Sequence, residues 1–254
     1  MKQTKLYIYG KHALWEALLH APKALLKIYF EPRSLDAKFK KLIKDSGVPT
    51  ASFGEGRAKA DMRSGAPHQD IIGQVSLHQL VVLYQKFSET LSSTPHTSLV
   101  VLNGVQDPHN VGAIIRSAAG FGAAGVLLPE KEQAPVTGTV LKVSAGMAFR
   151  IPLVTVSDLH ATIYDLKKRR FKVYALAGEG QESLTKEQFT SPTLFILGNE
   201  AKGITPGIRA LCDKILSIPI SSRTESLNVA ASSAIAMYAW SAQHPEALTN
   251  AQTK

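Results

Sequence analysis

From residue 99 onward, short apolar runs alternate with amphipathic stretches, and this alternation restricts the possible folds more than any other feature. Residues 99–102, 126–128, 153–156, 171–176, 193–197 and 215–220 have strand length and strand composition. Between them, Ile114, Ile115, Ala118 and Ala119, and later the segments 140–148, 159–168 and 208–212, carry helical spacing. Strands separated by helices pair in parallel, so an α/β fold with a helix-covered parallel sheet is expected. Ligands of such sheets sit at the carboxyl ends of strands.

The first part of the chain is a smaller α/β unit. Leu14, Ala17 and Leu18 share one helical face and residues 26–30 read as a strand. Phe39, Leu42 and Ile43 form a second stripe, and 71–77 and 80–84 read as strands. Residues 87–98 are rich in small polar side chains without sustained periodicity and read as a linker. The expected units are therefore a small α/β domain over 1–86, a linker over 87–98 and a larger α/β domain over 99–254.

The 254 residues carry a formal net charge of +9, the footprint of a protein that meets polyanions. Residues before Ser98 hold 14 Lys and Arg against 8 Asp and Glu, a net +6. Lys38, Lys40, Lys41 and Lys44 accompany the second helical stripe, as a solvated face or as contacts to RNA phosphates. No apolar run approaches the roughly 20 residues that span a bilayer, and residues 1–5 lack the apolar core of a signal peptide, so a cytoplasmic protein without membrane contact is expected. Cys212 is the single cysteine, which excludes an intrachain disulfide and a multi-thiolate metal centre. The eight histidines show no metal-ligand spacing, and no metal is expected.

Two nucleotide motifs fail on context. Gly120-Phe-Gly122-Ala-Ala-Gly125 has the letters of a dinucleotide fingerprint, but a helix precedes it and a strand follows, the reverse of what a pyrophosphate cradle needs. Gly198-Asn-Glu-Ala-Lys-Gly203 follows a strand but continues with Ile204-Thr205 in place of Lys-Ser/Thr, which rules out a nucleotide-triphosphatase loop.

Three other segments, each at or after an expected strand, concentrate unusual residues: 110–116, 197–203 and 218–228. Arg116 is the only charged side chain between Asp107 and Glu130. A guanidinium cannot readily shed its proton, so it must be paired, solvated or reserved for an anion. The turn Asp107-Pro108-His109-Asn110 ends in a good helix cap at Asn110, and Asn228 is a natural cap for a helix over 229–240.

At these residues the chain resembles the SpoU-type RNA ribose 2′-O-methyltransferases of the SPOUT superfamily, with three motifs in matching order and spacing over 99–240. Upstream, 9–18 and 68–73 resemble the small substrate-binding domain of the ribosomal-RNA members, although Asp70 stands where those usually have glycine. The resemblance implies a trefoil-knotted catalytic domain and S-adenosyl-L-methionine as cofactor, held against Gly198, Ile218 and Leu227, with Leu197, Asn199 and Gly203 beside them. It implies Arg116, Glu200, Asn110, Ser226 and Asn228 as the catalytic set, and a homodimer. Val229, Ala230, Ala234, Met237, Tyr238 and Trp240 give the last long helix more apolar surface than one face needs.

A ribose hydroxyl is a poor nucleophile until its proton is withdrawn, so catalysis must activate and align that oxygen. Arg116 fits electrostatic stabilisation of the developing alkoxide or positioning of a phosphate better than it fits a base. Glu200 would orient Arg116 or accept the proton. The expected reaction is 2′-O-methylation of a guanosine in large-subunit, 23S-type rRNA, with RNA and not DNA as partner. The alternatives are a tRNA ribose methyltransferase and a non-catalytic RNA-binding assembly factor.

Overall fold

In the computed structural model, which describes residues 5–31, 33, 35–52, 71–131, 133–180 and 182–249, the chain builds two sheets. The first contains β1 (Lys5–Tyr9), β2 (Leu25–Phe30), β3 (Thr50–Ala51) and β4 (Ile71–Ser76) in the order β1-β4-β2-β3. Between its strands lie α1 (Lys11–His20) and α2 (Ala37–Ser46). Asp36 caps α2 by accepting from the Phe39 amide at 2.8 Å, which starts a helix that buries Phe39 and Ile43. Lys38, Lys40, Lys41 and Lys44 stay exposed on its other side. Residues 53–70, including His68 and Asp70, lie outside the described residues.

The second sheet follows α3 (Leu77–Leu80). Its elements run β5 (Val81–Leu83), α4 (Tyr84–Thr90), β6 (Ser98–Asn103), α5 (Pro108–Gly120), β7 (Gly125–Pro129), α6 (Gly138–Val143), β8 (Leu153–Val156), α7 (Leu159–Lys168), β9 (Lys172–Leu176), β10 (Glu182–Ser183), β11 (Thr193–Gly198), α8 (Pro206–Arg209), β12 (Lys214–Ser217), α9 (Val229–Ser241) and α10 (Pro245–Thr249). The eight strands lie in the order β10-β12-β9-β11-β6-β7-β8-β5, and every pairing is parallel, as the alternation of strands and helices requires. Gly120 to Gly125 is the turn from α5 into β7.

Along β6 the side chains alternate between two cores. Val100 and Leu102 join the layer under α5, α6 and α9, while Leu99 and Val101 join the layer under α4, α7 and α8. All four strand residues are fully buried, which is why β6 reads as an unbroken apolar run.

Elements near the expected domain boundary pack with the large sheet. Val81–Leu83, assigned from sequence to the N-terminal unit, pairs with β8 and forms the edge of the large sheet. The expected linker, 87–98, begins inside α4 and ends in β6. Nor is the small unit tethered at a distance: its Ile8, Leu14 and Ile28 share one continuous apolar cluster with α5 and α6. Glu16, 4% exposed, is gripped by Arg150 through a two-pronged ion pair, Nε to Oε2 and Nη2 to Oε1. Small polar residues marked a connection, but burial of the two units against each other is invisible to composition.

Other features are plainer. Met237 and Trp240 are buried in the chain's own core, whereas Ile235 and Tyr238 remain exposed on α9. Burial pushes the Cys212 thiol up to about 11, and its Sγ donates to the Ile208 carbonyl, so it behaves as a packed, unreactive group. No helix of the described residues is long and apolar enough to cross a membrane.

Candidate active site

The helix that carries Asn110 and Arg116 starts earlier than expected. Asp107, not Asn110, is its cap, accepting from the His109 amide at 2.8 Å, and Pro108 takes the first helical position, where a missing N–H costs nothing. That shift releases the Asn110 side chain from capping and turns it toward two partners. Its Nδ2 donates to Glu200 Oε1 at 2.9 Å, and its Oδ1 accepts from Asn228 Nδ2 at 3.0 Å. Asn228 does cap α9, through Oδ1 to the amides of Ala230 and Ala231. Three sequence motifs, on α5, after β11 and before α9, are thereby joined by side-chain hydrogen bonds.

The loop after β11 closes on itself. The Asn199 and Gly203 amides and carbonyls bond reciprocally, each at 2.9 Å. Asn199 Oδ1 accepts from the amides of Ala201 and Lys202, and its Nδ2 donates to the Gly104 carbonyl, so this side chain is wholly occupied in shaping the loop. Closure brings Gly203 so near Gly198 that a Cβ at Gly198 would lie 2.5 Å from the Gly203 carbonyl carbon. Gly203 itself adopts φ +67°, in the left-handed region. Gly198 is thus required first by the loop's own backbone.

Beside that loop lies a cleft of about 310 Å³ at the carboxyl ends of β9, β11 and β12, within the size range of small-molecule sites. Leu197, Gly198, Asn199, Gly203, Ile218 and Leu227, the six expected cofactor contacts, all line it. Glu200, Ser226 and Asn228 line it too, and Asn110 joins through its hydrogen bonds.

Arg116 is the exception. It lies exposed on α5, it does not line the cleft, and no described residue pairs with it. Six positions separate it from Asn110, about 9 Å of rise and about 240° of rotation, so the two side chains leave different sides of the helix. Glu200 pairs with Asn110 and not with Arg116, so of the two roles expected for it, orienting the guanidinium has no contact behind it among the described residues.

The cleft also has walls that sequence reasoning passed over. Leu176 ends β9 and Ala177 and Gly178 follow it, and Leu216, Ile220, Glu225, Val229 and Ser232 complete the lining. Their signal was positional: β9 pairs with β11 and β12 lies next beyond β9, all parallel, so their carboxyl ends open onto the same site. Leu176, Leu197, Leu216, Ile218 and Leu227 form an apolar wall suited to a flat heterocycle, and Glu200 and Glu225 bring carboxylates suited to a neighbouring cation.

Comparison with known proteins agrees with this architecture. The model of the SpoU rRNA methylase family matches residues 97–238, and a model of the RNA 2′-O ribose methyltransferase substrate-binding domain matches residues 7–81. A protein of Pseudomonas syringae pv. tomato named 23S rRNA (guanosine-2′-O-)-methyltransferase RlmB is 32% identical over 91% of this chain and 93% of its own length. The solved structure of the SpoU methyltransferase AviRb from Streptomyces viridochromogenes, in complex with AdoMet, superposes with a TM-score of 0.79 at 22% identity, covering 95% of this chain and 91% of that one. The TrmH/SpoU tRNA modifying enzyme of A. aeolicus covers only 64% of this chain and 82% of its own, with a TM-score of 0.51 at 23% identity.

Proposed function

The chain belongs to the SpoU rRNA methylase family, and on that premise we propose that it methylates the ribose 2′-oxygen of a guanosine in 23S-type rRNA, using S-adenosyl-L-methionine. The observation that carries the proposal is the hydrogen-bonded chain Glu200–Asn110–Asn228 at the mouth of an apolar, glycine-bounded cleft. The cleft suits the cofactor on physical grounds. Its apolar wall would take the adenine, the backbone at Gly178 and Gly198 admits close polar contact, and Glu200 and Glu225 complement a positive charge. When bound, S-adenosyl-L-methionine supplies an electrophilic methyl group on a sulfonium.

The protein's own part is to align and activate the ribose oxygen. Glu200 is the assigned acceptor for the hydroxyl proton, oriented by Asn110, with Ser226 and Asn228 as neutral hydrogen-bonding groups around the oxygen. An exposed, unpaired guanidinium is best suited to an RNA phosphate, so Arg116 is assigned to substrate positioning and to stabilising negative charge as the reaction proceeds. The basic N-terminal unit, with the exposed lysines of α2, is assigned to RNA capture. A match to a substrate-binding domain over residues 7–81 supports rRNA over tRNA as the substrate.

We further infer a cytoplasmic homodimer with a trefoil-knotted catalytic domain. The meeting of loops 199–203 and 218–228 at one cleft supports the threading. Ile235 and Tyr238, 38% and 63% exposed on α9, and Phe121, whose ring meets Tyr238 edge-on, supply an apolar surface for a second copy. Light scattering should report a dimer that Tyr238→Glu disrupts.

Incubating purified protein with methyl-labelled cofactor and 23S rRNA fragments tests the reaction. Label should be recovered in a ribose-methylated guanosine whose 3′-phosphodiester resists alkali. Label on a base, or none on any rRNA fragment, would overturn the assignment.

A further inference from the structure

At the amino end of β6, roughly 20 Å along the strand from the cleft, three potential metal ligands converge from distant parts of the chain. His96 precedes β6, His244 follows α9, and Glu246 lies in α10. The His96 and His244 Nδ1 atoms are 3.1 Å apart, and Glu246 Oε1 touches His96 Nδ1 and lies 3.8 Å from His244 Nδ1. Every pair of these ligand atoms is within 4.8 Å. Sequence spacing concealed the group, since 148 residues separate the two histidines.

The group is more than a surface ion pair, because its hydrogen-bonding atoms are mismatched. The Phe189 carbonyl can only accept, so His244 Nε2, 2.9 Å away, carries a proton. In the neutral ring, His244 Nδ1 is then a bare lone pair pointing at His96, and His244 is only 5% exposed. A single proton on His96 Nδ1 faces two acceptors, that lone pair and the Glu246 carboxylate. One cation at their centre would satisfy all three groups at once. A backbone carbonyl holding the remote nitrogen of a ligand histidine is also the usual outer-shell arrangement around a bound metal.

We propose that His96 Nδ1, His244 Nδ1 and Glu246 bind a divalent transition metal, with Zn²⁺ the best match. Ligand distances of about 2.0–2.2 Å in a tetrahedron separate neighbouring donors by roughly 3.3 Å. The two Nδ1 atoms at 3.1 Å and the His244–Glu246 pair at 3.8 Å bracket that spacing, while His96 and Glu246 touch and would part to admit the ion. Two imidazoles and one carboxylate favour zinc over magnesium or calcium, which prefer oxygen. The side chains of His96 and Glu246 are 50% and 41% exposed, which leaves an approach for the ion and a fourth position for water. The site would clip the entrance of β6 to the junction of α9 and α10, fixing the C-terminal helices from the side opposite the cleft. It therefore acts on stability and not on methyl transfer.

Untagged full-length protein, stripped with chelator and titrated calorimetrically with Zn²⁺, tests this. One equivalent should bind and raise the Tm, and Co²⁺ in its place should give the intense visible bands of a tetrahedral site. His96→Ala and Glu246→Gln, both at exposed side chains and expected to fold normally, should each weaken Zn²⁺ binding by at least about tenfold, since losing even an outer-shell partner costs that much. No saturable equivalent, or variants that bind as tightly as the parent, would overturn the proposal.

Discussion

Asn228 and Asn110, 118 residues apart, are joined by a hydrogen bond whose direction is dictated by the end of a helix. Asn228 must present Oδ1 to the Ala230 and Ala231 amides, because those N–H groups can only donate. Its Nδ2 is then left to donate to Asn110 Oδ1, which in turn leaves Asn110 Nδ2 to donate to Glu200. The polarity of the candidate site is thus transmitted from the first turn of α9 to a carboxylate 90 residues from Asn110.

Removing either amide should separate stability from chemistry. Asn228→Ala loses a helix cap, so it should cost about 1 kcal/mol in urea unfolding as well as turnover. Asn110→Ala caps nothing and should unfold within about 0.5 kcal/mol of the parent while still losing turnover. Full activity in Asn110→Ala would remove the hydrogen-bonded chain from the mechanism.

Arg116→Ala should leave cofactor affinity and stability unchanged, since the side chain is exposed and unpaired, while turnover falls about 10²–10³-fold. Arg116→Lys should recover only part, because a point charge cannot reproduce a forked guanidinium. Weakened cofactor binding by calorimetry in the alanine variant would place Arg116 at the wrong partner.

Gly198→Ala and Gly203→Ala should fail differently. The first puts a methyl 2.5 Å from a carbonyl carbon and should cost about 1–3 kcal/mol and abolish cofactor binding. The second meets open space and suffers only its φ of +67°, at about 1 kcal/mol, and should bind cofactor more weakly without losing it. Equal effects in thermal unfolding and calorimetry would contradict the loop closure described above.

Acid sensitivity should centre on Glu187. Burial pushes this carboxyl up, but hydrogen bonds from Lys214, Tyr174 and Lys172 outweigh it and hold the group below its ordinary value of 4.5. A depressed carboxylate contributes stability that is fully present above pH 4.5 and lost as pH falls through the lower folded value. Glu187→Gln should therefore cost about 1.5–3 kcal/mol at neutral pH and flatten the loss of stability below pH 4.5. A variant that parallels the parent at every pH would refute this.

Lys40, Lys41 and Lys44, all exposed on α2, should engage RNA phosphates. Replacing all three with alanine should weaken rRNA binding and lower the slope of log K against log salt by about 0.7–0.9 for each phosphate that is no longer neutralised, with cofactor affinity intact. An unchanged slope would mean that the lysines are only solvated.

Local sequence was enough to establish the parallel α/β class, the lengths of most elements and the three segments that meet at the cleft. Val100 and Leu102 alternate with Leu99 and Val101 because a strand has two faces, and glycines cluster where the backbone turns sharply. Packing alone settled which distant groups are partners. Asp107 took the cap that the sequence placed at Asn110, and Glu200 paired with Asn110 in preference to Arg116. Val81–Leu83 joined the far edge of the large sheet, and Glu16 docked on Arg150. His96 met His244 across 148 positions. Periodicity records that a face will be buried, because amphipathicity is a property of one segment. It cannot record against what, because the geometry of a hydrogen bond or a ligand set exists only after independent segments have packed together.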